Sequence, residues 1–390
     1  MSILRRAYIF VLVLVFSLVT YAQETTKADT VDHDAPDFVK ASLIIADPGE
    51  VLYSCVGHAC IRLQCPAYGL DFCFSYESED GRDKVLMFLA GSLKMGMFAI
   101  PTEEYLDEYK GEGRGVCQYH LNLPIEVKRN LWQLLDNKVS EGANLPYDYL
   151  ARGCAQSTLQ SLLEAITVSG LQPDFGEWPE KYEQTRRELT VSRLTENPWT
   201  HFFLEALVGI DIDYSCTNIE KVIMPQDLLA LLQTTSVQGA KIIDTPPTYL
   251  VPSTPRPDSI FAKVTTPLAV SSYVLLLAFI SFFRAKTRKY TMFPLLILQF
   301  VVGVFLTYLI LFSDLPCTSW NWLFIPFNPL PLIFWHYRRY WLRPYMAILV
   351  LWMFVMVIYP HRLTDLTYVS LTLSIVVIYL AEWRSIKCAQ

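Results

Sequence analysis

Two residues able to do nucleophilic chemistry stand in settings that suit it. Cys154 lies in "YDYLARGCAQSTLQSLLEAI", where Leu159, Leu162, Leu163 and Ile166 recur at helical spacing and Arg152 and Gly153 precede the regular pattern. Cys154 is therefore expected in the first turn of a helix, where exposed N–H groups and the helix dipole favour a thiolate. His58 lies in "YSCVGHACIRL", an apolar run that continues through the turn "QCPAYG" into a second run, "LDFCFSYES". This pattern predicts a β-hairpin with His58 early on its first strand. A thiol and an imidazole so placed are the parts of a nucleophile and its general base. The rival readings of His58 are a core residue and a metal ligand, but no Cys-x-x-Cys spacing supports zinc, and no cofactor is expected.

A third group should fix the tautomer of His58. Asp71, on the next strand with Gln64 behind it, is the candidate; it reads equally well as the end of the hairpin turn. Arg62, Tyr147, Tyr149 and Gly153 are candidates for the entrance and substrate side of the site, with packing as the other reading of the two tyrosines. His120 and His201 are lone histidines in apolar settings, which suits core or surface roles. His361 and Arg362 could meet a lipid phosphate or cap a helix.

These elements must be held by a chain of 390 residues with 52% hydrophobic content and a positive mean hydropathy, too apolar and long for one soluble domain. Arg5 and Arg6 precede the run "AYIFVLVLVFSLV", and small or polar residues follow. That order is a secretory signal peptide with cleavage after Ala22, an uncleaved anchor being the other reading. Residues 23–40 read as a polar lead-in and 41–240 as an outward domain. The Pro-rich stretch within 241–263 reads as an extended linker. Five apolar segments follow in 264–390: about Val264 to Phe283, Met292 to Phe312, Thr318 to Trp335, Trp341 to Tyr359 and Leu366 to Glu382. Each is near bilayer-spanning length, and the third contains Pro326, Pro329 and Pro331. The loops "RAKTRKY" and "HYRRYWLR" and the tail "RSIKCAQ" are basic, whereas "SDLPCTSW" has no Lys or Arg. The basic loops therefore face the cytoplasm and residues 23–263 face outward. A net charge of −6 without a basic patch gives no sign of a nucleic-acid partner. Seven of the nine cysteines fall in the outward domain, where disulfides are permitted and an odd count leaves at least one outside any pairing within it.

The order of histidine strand before cysteine helix resembles the permuted papain-like (NlpC/P60-like) thiol enzymes, including the lecithin:retinol acyltransferase-like group. A closer resemblance is to the Lnb-type lipoprotein acyltransferases, and it covers nearly the whole mature chain. "YSCVGHACIRL" is similar to that family's Gly-His-x-x-Ile-Arg segment, and "YDYLARGCAQST" to its Tyr-x-Tyr…Cys segment. "ALVGIDIDYSCTNIEKVIMPQDLLALL" resembles the downstream part that closes the domain with a Pro-led helix. In one departure, Gly153 stands where the family often has Asn; glycine keeps the turn possible and removes an amide that could orient the site. The resemblance implies an α+β fold, a permuted papain-like periplasmic domain followed by a five-helix bundle in the bacterial inner membrane. It also implies acyl transfer from a lipid acyl donor, through a thioester on Cys154, to the N-terminal amine of a lipoprotein acceptor. The alternatives are a papain-like hydrolase of the cell envelope and a non-enzymatic membrane binding protein.

Overall fold

The computed structural model describes residues 31–49, 54–78, 84–142, 144–148, 152–176, 185–192, 194, 197–217, 219–254, 264–359 and 365–388. The expected signal peptide, residues 23–30 of the lead-in, residues 255–263 of the expected linker, Tyr149, His361 and Arg362 lie outside the described residues.

The outward half is built on strands β1 (Lys40–Ala46), β2 (His58–Cys65) and β3 (Leu70–Ser78), followed by helix α1 (Lys84–Ala90). Then come β4 (Lys94–Pro101), α2 (Thr102–Glu112), β5 (Val116–His120), α3 (Ile125–Glu141), β6 (Leu145–Pro146) and α4 (Cys154–Val168). After these come β7 (Pro173–Asp174), α5 (Arg186–Ser192), α6 (Pro198–Leu207), α7 (Pro225–Thr234), β8 (Ser236–Val237), β9 (Ala240–Lys241) and β10 (Thr248–Val251). Seven strands form one antiparallel sheet in the order β10-β5-β1-β2-β3-β4-β6, and β7, β8 and β9 make a small second sheet.

The hairpin expected around His58 is present as β2 and β3, in the register Cys60↔Ser75, Arg62↔Cys73 and Gln64↔Asp71. Its first strand is covered on both faces. Ala59, Ile61 and Leu63 join a main core with Leu131, Leu159, Leu162 and Leu228. Cys60 faces the other way, into a smaller cluster with Cys73, Tyr105, Tyr109 and Val116. Successive residues of a strand point to opposite faces, so α3, α4 and α7 cover one side of the sheet and α2 the other. The Pro-led helix α7 starts at Pro225, and the Asp227 carboxylate accepts from the N–H groups of Ile223 and Met224, closing its first turn.

β10 lies within the stretch expected as a linker. Thr248↔Gln118 pairing puts it on the sheet edge beside β5, so the outward domain extends past residue 240 to Val251. Pro246 and Pro247 precede the strand and Pro252 follows it, outside the ladder, which is where a sheet edge tolerates proline.

Among the described residues, three helices of the C-terminal part are long and apolar enough to cross a membrane: Ala285–Phe312, Trp335–Ile358 and Leu366–Cys388. They correspond to α9 (Ala285–Phe312), α11 (Arg338–Ile358) and α12 (Leu366–Cys388), while the apolar α8 (Pro267–Phe283) is shorter. The third expected span is not one helix. A 3-10 turn at Trp322–Phe324, the four-residue α10 (Leu330–Ile333) and a second 3-10 turn at Trp335–Tyr337 replace it. Pro326, Pro329 and Pro331 lack the N–H groups that a continuous helix would need. Irregular backbone at this depth requires partners from the protein, and it has them: Gln299 donates to the Pro326 carbonyl at 2.7 Å and Tyr345 to that of Ile325 at 2.9 Å. The five-helix expectation thus becomes three long apolar helices, one shorter one and a broken segment.

The two ends of this bundle differ in charge. At one end Arg338 pairs with Glu382 at 2.8 Å, Arg343 lies over Trp383 and Arg384 over Phe282. The opposite end binds the outward domain: Asp314 N–H donates to the Ala90 carbonyl, Gly209 N–H to that of Cys317 and Asn321 to that of Ala206. A reporter active only outside the cytoplasm should therefore be active when fused after Leu315 and silent when fused after Lys286. The reverse pattern would overturn this orientation.

Candidate active site

Gly57 turns the chain into β2 at φ +81°, and a Cβ there would meet the Ala46 carbonyl oxygen at 2.6 Å. Only glycine takes that corner without strain, and it delivers His58 as the first residue of the strand, opposite Ala46. Cys154 is the first residue of α4, as its sequence setting predicts. The helix lies on the sheet through Leu159, Leu162 and Ile166, and Tyr76 of β3 is fixed against it by a 2.8 Å hydrogen bond to Ser161. The beginnings of a strand and of a helix thereby meet, and the side chains of His58 and Cys154 hydrogen-bond to one another.

The electrostatics of the pair favour separated charges. Burial pushes the Cys154 thiol up, but the charge and hydrogen bond of His58, with the backbone N–H groups of Ala59 and Ala155, outweigh it, and the net direction is down. Burial pulls the His58 imidazole down, while the Cys154 charge, its hydrogen bond and the Glu77 carboxylate pull it up against Arg114, and the net direction is up. A thiol whose pKa falls beside an imidazole whose pKa rises is shifted toward the thiolate–imidazolium form, in which a cysteine is able to act as a nucleophile. The two N–H groups near the sulfur are also donors of the kind that stabilise an oxyanion.

Ser75 takes the place expected for Asp71. Its fully buried hydroxyl lies 2.7 Å from His58 Nε2, leaving Nδ1 as the ring nitrogen for the thiol. Asp71 lies toward the other end of β3, where it accepts from Arg62 Nε at 2.8 Å and Nη2 at 2.6 Å, from Gln64 at 3.1 Å and from Thr102 at 2.6 Å. Arg62 also reaches Gln118 of β5 at 2.6 Å. Arg62, four residues from His58 and roughly 13 Å further along the strand, is thus committed to a clamp joining β2, β3, β5 and α2 and stands apart from the thiol. Sequence reasoning also missed Glu77, Arg114 and the Ala59 and Ala155 amides. The hairpin register could have found Ser75 and displaced Asp71, because it sets Asp71 opposite Gln64 and Ser75 opposite Cys60.

Tyr147 does lie by the thiol, whose charge helps, after burial, to push the phenol up. β6 holds it there through pairing with β4 and a Tyr147 N–H donated to the Leu93 carbonyl. Gly153 has φ −76° and open space where a Cβ would be, so the turn before Cys154 does not require glycine. His120 ends β5 at the surface, and His201 lies 3.8 Å from Glu205 on α6. No disulfide joins any of the nine cysteines. Among the described residues, no cluster of His, Cys, Asp and Glu side chains is arranged to hold a metal ion.

The sequence also matches two family models in the order of this architecture. Residues 26–187 match the Lnb N-terminal periplasmic domain, and residues 259–386 match the Lnb transmembrane domain. The chain belongs to the Lnb family. Its outward half is accordingly a periplasmic domain and its C-terminal helices a membrane domain, which makes it an inner-membrane protein. No curated protein and no solved structure matches the chain.

The distinct surroundings of Ser75 and Asp71 separate their roles by measurement. Alkylation of Cys154 by iodoacetamide, followed against pH, should show its inflection below the ordinary thiol value. His58→Ala removes the neighbouring charge while burial remains, so the inflection should move up. Ser75→Ala should move it up by roughly one unit, the effect of losing one partner of the imidazolium. Asp71→Ala should leave the inflection in place and lower stability by about 1–3 kcal/mol, below the cost for a fully buried pair because Asp71 is partly exposed. An inflection that follows Asp71 and ignores Ser75 would reverse the assignment.

Proposed function

We propose that this Lnb-family protein is a membrane-anchored thiol acyltransferase that moves an acyl chain from a lipid ester to the N-terminal amine of a lipoprotein. The observation that supports it best is the Cys154–His58 contact at the start of α4, in which each group shifts the other toward its charged form, with the Ala59 and Ala155 amides beside the sulfur. In this reading the Cys154 thiolate attacks the ester carbonyl of the donor, and the two amides take up the negative charge that develops on the carbonyl oxygen. As the C–O bond breaks, the His58 imidazolium gives its proton to the departing alkoxide, leaving a thioester on Cys154 and a neutral imidazole. The amine then adds to the thioester carbonyl while the imidazole takes its proton. Collapse of that intermediate breaks the C–S bond, forms the amide and restores the thiolate–imidazolium pair.

The membrane half supports an acceptor and a donor that are both lipid-borne. Holding two substrates at one surface beside the nucleophile replaces a search in solution by local encounter. Ser75 keeps the imidazole oriented through both proton transfers while remaining neutral itself.

Mass spectrometry of a lipoprotein's N-terminal peptide should show an added acyl group with the parent chain and none with Cys154→Ser. His58→Gln, which fills the volume but cannot accept a proton at neutral pH, should lower transfer per folded molecule on the order of a hundredfold or more. Full activity of the Gln variant would rule out the catalytic role of His58. Release of free fatty acid without acylated peptide would identify water as the acceptor and the protein as a hydrolase.

A further inference from the structure

Helix α1 is seven residues long, has no buried residue, and leaves Val85 62% and Leu86 66% exposed with Met87 beside them. Its remaining large side chains, Phe88 and Leu89, pack against the core of the membrane helices. Its end is pinned to the domain-facing end of α9: Ser313 donates to the Leu89 carbonyl at 2.6 Å and Asp314 N–H to that of Ala90 at 3.1 Å. Gly91, at φ +73°, makes the contact possible, because a Cβ there would meet the Asp314 carbonyl carbon at 2.3 Å. Helix α6 repeats the arrangement. Phe202, Leu204 and Ala206 face the membrane core, Phe202 stacks on Tyr368, and Trp199 and Phe203 stay 43% and 52% exposed. The Trp199 indole donates to the Thr265 carbonyl, just before α8 begins.

From these two helices, apolar contacts run to the thiol on two sides. On one side Phe88 meets Tyr147 at 6.0 Å, and Tyr147 adjoins Cys154. On the other, Leu204 is shared between the membrane core and the cluster of Cys55 and Val56, which lead directly into Gly57 and His58.

We propose that α1 and α6 lie in the periplasmic leaflet of the bilayer and flank a lateral entrance through which the acyl chain of a leaflet lipid reaches Cys154. The leaflet placement rests on geometry alone, while the destination of the chain rests on the acyltransferase reading. Lipid is the occupant because the exposed side chains stand on helices whose other apolar residues, Phe88, Leu89, Phe202 and Leu204, pack on the core of the helices that cross the membrane. The pinning of α1 to the end of α9 leaves it at the boundary of the hydrocarbon region. Three adjacent apolar side chains on so short a helix are accommodated there as in an interfacial helix.

The full chain is reconstituted in phosphatidylglycerol–phosphatidylcholine vesicles with brominated acyl chains, and tryptophan emission is read as the excess over the parent chain. The emission added by Leu86→Trp should be quenched at least twofold, whereas that added by Tyr68→Trp, at the other end of β2, should not. Added emission from Leu86→Trp that resists the brominated lipid and is quenched by aqueous acrylamide would overturn the leaflet placement and leave a protein partner as the occupant. In a second measurement, Val85→Ser, Leu86→Ser and Met87→Ser are combined, and iodoacetamide labelling of Cys154 reports that the domain is folded. The ratio of acylation from a vesicle-borne diacyl donor to acylation from a water-soluble short-chain ester should fall at least tenfold. An unchanged ratio would overturn the entrance. Quenching together with no acylation of the parent chain by either donor would overturn the acyltransferase reading while upholding the leaflet placement.

Discussion

The meeting of a thiol and an imidazole at the starts of a helix and a strand, each shifting the other toward its charged form, is the contact around which the site is arranged. Either charge alone would be costly at that depth. Together they stabilise one another, and each further device serves that pairing: Gly57 for the corner into β2, the N-terminus of α4 for its free amides, and Ser75 for the far side of the ring. The pair belongs to two elements with no local reason to meet, so it depends on how firmly α4 lies on the sheet. The Tyr76–Ser161 hydrogen bond and the Leu159, Leu162 and Ile166 contacts provide that firmness.

A second polar assembly stabilises the sheet without touching the thiol. Arg62 is bound in two places by Asp71 and in a third by Gln118, while Thr102 and Gln64 complete the carboxylate's partners. A planar guanidinium with several donors is suited to such a junction, and a lysine in its place would satisfy fewer acceptors. The histidine and arginine of the "GHACIR" segment thus stand at separate ends of one strand, one beside the thiol and one in a clamp between strands.

The candidate thiol and imidazole were legible in the sequence because each leaves a local mark, a cysteine just ahead of helical periodicity and a histidine at the head of an apolar run. Ser75 was not, because a serine in a strand has no distinctive mark and its meeting with His58 depends on the hairpin register. A carboxylate such as Asp71 attracts attention by type, yet it is one strand position after another that decides contact. Hydropathy located the membrane segments but could not report that the stretch around Pro326, Pro329 and Pro331 abandons helical hydrogen bonding, since its apolar content is undiminished. The strand at Thr248–Val251 was hidden for the opposite reason: prolines on either side resemble a spacer until their place outside the ladder is seen.

Two glycines fasten the periplasmic domain to the bundle. Gly91 is pressed against Asp314, and Gly209 against Ser319, whose carbonyl oxygen would lie 1.6 Å from a Cβ. The second contact is reinforced by Arg187, which holds both Asp213 and the Gly209 carbonyl at 2.6 Å. Any side chain larger than hydrogen at either glycine would have to push the domain and the bundle apart, so the seating of one on the other depends on two missing methyl groups.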